Sequence, residues 1–178
     1  NEFDRNSDPF VRKYISDHPH WNKTSFGGDN PDAWMIFETA TFGTLSKMYK
    51  NLKNQSPLKS QIANEFGLYS ARELSSWLEA ISVLRNIIAH HSRIWYKIFS
   101  KKPTNINRHR DCWMLADMTE HQRKRAFGVI SCLIYLCNAI TSNNTIKNET
   151  KDLLAEYPTI PVFMIGFTSE WEKNAIWR

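Results

Sequence analysis

At 178 residues the chain is one domain's worth of sequence, long enough to bury a sizeable core. Hydrophobic residues at 42% and aromatics at 13%, including seven Trp, argue against a disordered chain. Lys and Arg number 23 against 18 Asp and Glu, a net charge of +5. That mild basic bias is compatible with nucleic acid without demanding it.

In chain order, Asp8-Pro9 can start a short helix to about Asp17, with Pro9 in its first turn and Phe10, Tyr14 and Ile15 on an apolar side. His18-Pro19-His20-Trp21 ends it. Two histidines without further ligands read as loop residues, so no metal site is assigned. Ser25 to Asn30, with Gly27-Gly28, is a loop, and no G-K-[ST] follows to make it a phosphate loop. Residues 1–30 are thus a leading helix and loop. Asn30 caps a helix with Pro31 near its first position, running to about Leu52. Trp34, Phe37, Glu38, Thr41, Leu45, Met48 and Tyr49 recur along it at helical spacing. Glu38 is a carboxylate in that apolar stripe. It is either an edge-exposed acid or a buried partner for Arg85 or a histidine further along the chain.

Ser56-Pro57 starts a short helix that ends at Gly67. Ser70 and Glu73 form a capping box for the longest helix, expected to reach about Lys97. At about 100° per residue, Leu74, Trp77, Ile81, Leu84, Ile87, Ile88, His91 and Trp95 share one stripe facing the core. His91 is therefore expected to be a hydrogen-bonded core residue. Asn86 and His90 are one turn apart on a polar face, with Arg93 beside them. Arg85 lies roughly 140° around from His90, and its side chain is long enough to reach round. Histidine is the side chain most easily poised as acid or base near neutral pH. Arginine offers a fixed fork that matches a phosphate. An asparagine can orient either. Arg85, Asn86 and His90 are a toolkit for cleaving a phosphodiester without a metal or any other cofactor, although Arg-x4-His on a helix also arises by chance.

Residues 99–118 read as irregular and basic. Lys101 and Lys102, then Arg108 and Arg110, follow Lys97 just after the histidines, as a solvated loop or an electrostatic funnel for RNA. Trp113 and Tyr96 could stack on bases. Thr119 and Gln122 make a second capping box, for a helix to about Thr141 with Arg123, Lys124 and Arg125 on exposed faces. Ala126 to Ile140 is the longest near-apolar run. At about 15 residues it is too short to span a membrane and reads as a core helix. A further helix covers about Thr145 to Tyr157. Pro158 and Pro161 then stop helical structure, Pro161 to Phe167 is expected to be extended, and residues 158–178 close the chain with a short helix from about Ser169. Cys112, Cys132 and Cys137 show neither a C-x-x-C pair nor zinc spacing, which suits a reducing, cytoplasmic setting.

The string Arg85-Asn86-Ile87-Ile88-Ala89-His90-His91-Ser92-Arg93-Ile94-Trp95 resembles the R-N-x-x-A-H-H-x-R-x-W signature of the Abi-like (AbiD/AbiF-type) abortive-infection proteins, members of the HEPN superfamily. Two further blocks are similar to the same family. One is Trp34 to Glu38 running into Phe42 to Tyr49. The other is Met164-Ile165-Gly166-Phe167 with Trp171 and Trp177, where the family's Met-Gly-Phe-Pro has gained an Ile and Thr168 replaces the Pro. The resemblance spans nearly the whole chain. Family members typically carry a further N-terminal helical region, so the chain is expected to be the C-terminal part of a longer protein.

The fold class expected is all-α, with helices near 31–52, 57–66, 71–97, 119–141 and 145–156, in a single domain over 1–178. The resemblance makes it a HEPN-like bundle whose long central helix carries the R-x4-H motif. It implies a metal-independent endoribonuclease in anti-phage defence, cutting RNA by 2′-hydroxyl attack. Arg85, Asn86 and His90 would be catalytic, and Glu38, His91 and Arg93 supporting. Lys97, Lys101, Lys102, Arg108 and Arg110 would bind RNA. It also implies a homodimer, since such nucleases pair two motifs and this chain has one. The alternative is a non-catalytic module that holds a regulatory small RNA or an antitoxin. No membrane partner is expected.

Overall fold

The structure is a computed structural model that describes residues 9–19, 35, 37–38, 40–53, 56–106 and 112–178. These residues form helices and turns, with no strand among them. The chain divides into two compact units, Asn1–Leu45 and Ser46–Arg178.

In the first unit, helix α1 (Pro9–Asp17) starts at Pro9 as its sequence requires. Tyr14 is buried, and the His18 ring stacks on it at 4.1 Å with Nδ1 3.0 Å from the Tyr14 carbonyl. His18 is thereby a helix-terminating residue, while His20 lies outside the described residues, as do Asn30 to Trp34. The helix expected over 31–52 is interrupted. Residues 35, 37 and 38 are helical, the chain bends at Ala40, and α2 (Phe42–Asn51), whose residues from Ser46 on belong to the second unit, restarts from Thr41. The Thr41 hydroxyl accepts the Thr44 amide at 3.2 Å. A β-branched hydroxyl residue competes with the helix backbone for hydrogen bonds, which favours a cap over a helix interior.

In the second unit, α3 (Pro57–Glu65) is followed by the long helix α4 (Ala71–Ala89). The Ser70–Glu73 capping box forms as the spacing predicts, with the Glu73 amide 3.2 Å from Ser70 Oγ. Leu74, Trp77, Ala80, Ile81 and Leu84 are buried and face α6 (Ala126–Ile140), itself the most deeply buried helix. The stripe ends there. Helix α4 stops at Ala89, eight residues short of the expected Lys97, so Ile88 is 53% exposed and His91 lies on the surface rather than in the core.

The helix expected over 119–141 is two. Thr119 and Gln122 cap α5 (Glu120–Arg123), the chain turns through an extended Arg125, and α6 follows. Arg125 Nε donates to the Met164 carbonyl at 3.2 Å, which fixes the turn. It also keeps Arg125, like Arg123 and Lys124, only part-exposed rather than on an open face. Helix α5 folds back onto α6 at Gly128, where a Cβ would lie 2.6 Å from the Gln122 carbonyl oxygen. Helix α7 (Ile146–Glu156) follows. The segment expected to be extended is instead a 3₁₀ turn, Val162–Ile165, ended by Gly166 at φ +95°. The expected closing helix is a pair of 3₁₀ turns, Trp171–Lys173 and Ala175–Trp177. They deliver Trp177 into the core. Its ring packs on Phe127, Phe167 and Trp171, and Nε1 donates to Ser131 Oγ at 2.9 Å. Burial of large aromatic side chains stabilises a core strongly through the apolar area removed from water.

Candidate active site

The motif occupies the end of α4, and its geometry is that of a helix terminus. The Ser92 amide donates to the Ile87 carbonyl and the His91 amide to the Ile88 carbonyl, both at 2.9 Å. With His90 as the cap, this is a Schellman motif, and it places His91 in the left-handed region at φ +50°. Glycine ordinarily takes that position. Arg85, Asn86, His90, His91 and Arg93 are all exposed.

Arg85 Nη1 donates to Asn86 Oδ1 at 3.3 Å. The guanidinium therefore turns from its own side of the helix toward the face that carries Asn86. At about 100° per residue, Arg72, Glu79, Asn86 and His90 fall within about 40° of one another. One face of α4 thus runs from Arg72 to the histidine. A helix C-terminus repels anions by about 0.3–1 kcal/mol. A charge-assisted hydrogen bond contributes about 1.5–3 kcal/mol, so Arg85 alone can outweigh that repulsion at a phosphate.

The basic segment after the motif is strapped back along α4. The Ser76 and Thr104 hydroxyls meet at 2.8 Å, Trp77 Nε1 donates to the Thr104 carbonyl at 2.8 Å, and Lys101 Nζ lies 3.1 Å from Glu79. Lys102 Nζ lies 2.6 Å from Glu120, which Arg123 and Lys124 also contact at 2.8 and 2.9 Å. Hydrogen bonds from Lys102 and then Lys124 pull the Glu120 pKa down to about 2. Lys101 and Lys102 are therefore ion-paired within the fold. These pairs are exposed and screened by solvent, so exchanging one for a phosphate costs little. Lys97 is exposed, and Arg108 and Arg110 lie outside the described residues. Tyr96 is 59% exposed, whereas Trp113 is buried against Trp77 at 4.9 Å and cannot stack on a base. Ile94 and Trp95 line an apolar cavity of about 370 Å³ with Leu153, Leu154 and Tyr157. Glu38 is exposed on the helical stretch of the first unit.

A second charged cluster escaped the sequence reading. Lys50, Lys59, Arg72, Ser75, Ser76 and Glu79 line a cavity of about 570 Å³. Lys59 is buried, and its Nζ donates to the Lys50 and Leu52 carbonyls at 2.8 and 3.1 Å. Lys50 Nζ reaches Glu79 at 3.3 Å. Burial pushes the Glu79 pKa up, but the ion pairs with Lys101 and Lys50 outweigh it and hold the carboxyl below its usual value. The sevenfold spacing of Arg72, Glu79 and Asn86 was the available signal; Lys50 and Lys59 join only through the tertiary fold.

Residues 1–96, ending one residue after the Arg-Asn to Trp95 string, match a family model described as Abi-like protein. The chain belongs to the Abi-like protein family. No curated protein and no solved structure matches it. The family tie suggests a role in abortive-infection defence. For this Abi-like protein, no helix among the described residues is long and apolar enough to cross a membrane.

Proposed function

We propose that this Abi-like protein is a metal-independent endoribonuclease of the HEPN type. The observation that carries the reading is the Arg85–Asn86 contact at 3.3 Å, on the solvent-open helix face that ends in His90. A ribose 2′-oxygen attacks the adjacent phosphorus, and the bond from phosphorus to the 5′-oxygen breaks. The products are a 2′,3′-cyclic phosphate and a 5′-hydroxyl. One proton leaves the 2′-hydroxyl and one arrives at the 5′-oxygen, so no net proton is consumed. His90 takes or gives that proton, and Arg85 stabilises charge on the pentacovalent phosphorus. Asn86 orients the guanidinium. A homodimer supplies a second His90, allowing one base and one acid. Exposed Ile88, Tyr96 and Ile98 beside the motif support an apolar seam for it.

The test is RNA cleavage in EDTA by wild type and by Arg85→Ala with His90→Ala, with end-group analysis. Cleavage by wild type alone, leaving cyclic phosphate, is expected. Equal background from both proteins sinks the reading. The openness of the motif on one protomer also suits a module that holds an RNA or an antitoxin without cutting. Binding by both proteins with no cutting by either would select that second reading.

A further inference from the structure

The face of α4 that ends at the motif begins at a basic cavity. Lys50, Lys59 and Arg72 line that cavity, and Lys101 reaches its wall through Glu79, whose carboxylate Lys50 and Lys101 share. Among the described residues Arg72 has no carboxylate partner, and it is exposed. Ser75 and Ser76 add hydroxyls to the wall. Such a lining suits an anion with several acceptor oxygens.

Geometry narrows the anion. Glu79 precedes Asn86 by seven residues, about 10 Å of helix rise, and Arg72 precedes it by about 21 Å. All three lie on one face. A strand laid along that face toward the motif would cross the cavity. Lys101, on the segment tied to α4 by the Ser76–Thr104 and Trp77–Thr104 hydrogen bonds, meets Glu79 on the cavity's wall.

We propose that this cavity is a remote phosphate subsite, in which Arg72, Lys50 and Lys101 take a backbone phosphodiester of the same RNA whose cut bond lies at Arg85 and His90. The inference rests on the nuclease reading above. Glu79 is the internal competitor: its carboxylate holds Lys50 and Lys101 until a phosphate replaces it. The subsite reads charge and not base identity, so it would add affinity and register without sequence preference.

The same chemistry could come from a free nucleotide, so the experiment has two arms. In the first, binding of a single-stranded 12-mer RNA to the His90→Ala protein is measured against salt. Arg72→Ala should weaken it on the order of tenfold at low salt. It should also make the slope of log affinity against log salt shallower by about 0.7, the value for one phosphate contact on a single strand. Glu79→Gln should tighten binding. A dinucleotide has a single phosphodiester, and its affinity should not change with Arg72→Ala. In the second arm, AMP is titrated into the same proteins. Saturable AMP binding that needs Arg72 but does not compete with the 12-mer would overturn the RNA subsite in favour of a nucleotide pocket. Unchanged 12-mer affinity and slope in Arg72→Ala would also overturn it, while wild-type cleavage in EDTA would leave the nuclease standing. Loss of all RNA binding and cleavage in the wild type would instead remove the nuclease reading itself.

Discussion

His91 stands at the end of α4 where Gly67 stands at the end of α3. In α3 the Leu68 amide donates to Ala63 and the Gly67 amide to Asn64, with Gly67 at φ +74°. In α4 the same two bonds close around His91 at φ +50°. A residue with a Cβ costs about 1–2 kcal/mol in this region. His91→Gly should therefore raise stability by about 1 kcal/mol in urea denaturation, equivalent to a rise of roughly 2–4 °C in Tm. If His91 serves only the turn, RNA cleavage by the variant stays at the wild-type rate. Loss of cleavage with gained stability would assign the imidazole a part in the chemistry.

Arg85→Lys keeps the charge but removes the planar fork that turns toward Asn86. Cleavage should fall by about 100-fold, the order seen when one transition-state donor is lost. RNA affinity, measured separately in the His90→Ala background, should change little. An unchanged rate would leave Arg85 as a simple electrostatic anchor.

The cap of α4, and the place of Asn86 and His90 one turn apart near its end, were legible because both depend on local spacing. Ser70 with Glu73, Thr119 with Gln122, and Pro57 each mark a helix start through their own backbone chemistry. The stop at Ala89 was not legible, because His91 takes a conformation that the sequence would assign to Gly. The break before α6 was hidden for a different reason. The Arg123-to-Ala126 stretch has good helix formers, and only the tertiary bond from Arg125 to Met164 and the close approach at Gly128 divide it. Buried Trp113 could not be told from a base-stacking one by spacing alone.

Gly128→Ala should destabilise by about 1–3 kcal/mol, since the new methyl meets backbone atoms of Gln122 and Arg123 that cannot swing aside. Ser131→Ala should cost a similar amount by orphaning the buried Trp177 indole N–H. Chemical denaturation reads both. A loss well under 0.5 kcal/mol in either would mean that the C-terminal turns are not anchored as described.

Acid should weaken the fold through the groups whose pKa values are depressed, His121 and Glu120 among them. His121 stacks on Phe163 at 4.3 Å, and desolvation, then the charge of Arg125, lowers its pKa. The unfolded chain then binds more protons, so this contribution is present at neutral pH and is lost as pH falls below the ordinary histidine value. Glu120, depressed to about 2, acts in the same direction between about pH 4.5 and 2. The drop in urea midpoint from pH 7.5 to 5.5 should shrink in His121→Gln. An equal drop in the variant would place the sensitivity elsewhere.

Trp177 meets Ser131 and Phe127 across a sequence separation of 46 to 50 residues. During synthesis, then, the ribosome must release residues 171–177 before the core under α6 can close. Until that moment the helix bearing Arg85 and His90 rests against an unfinished core.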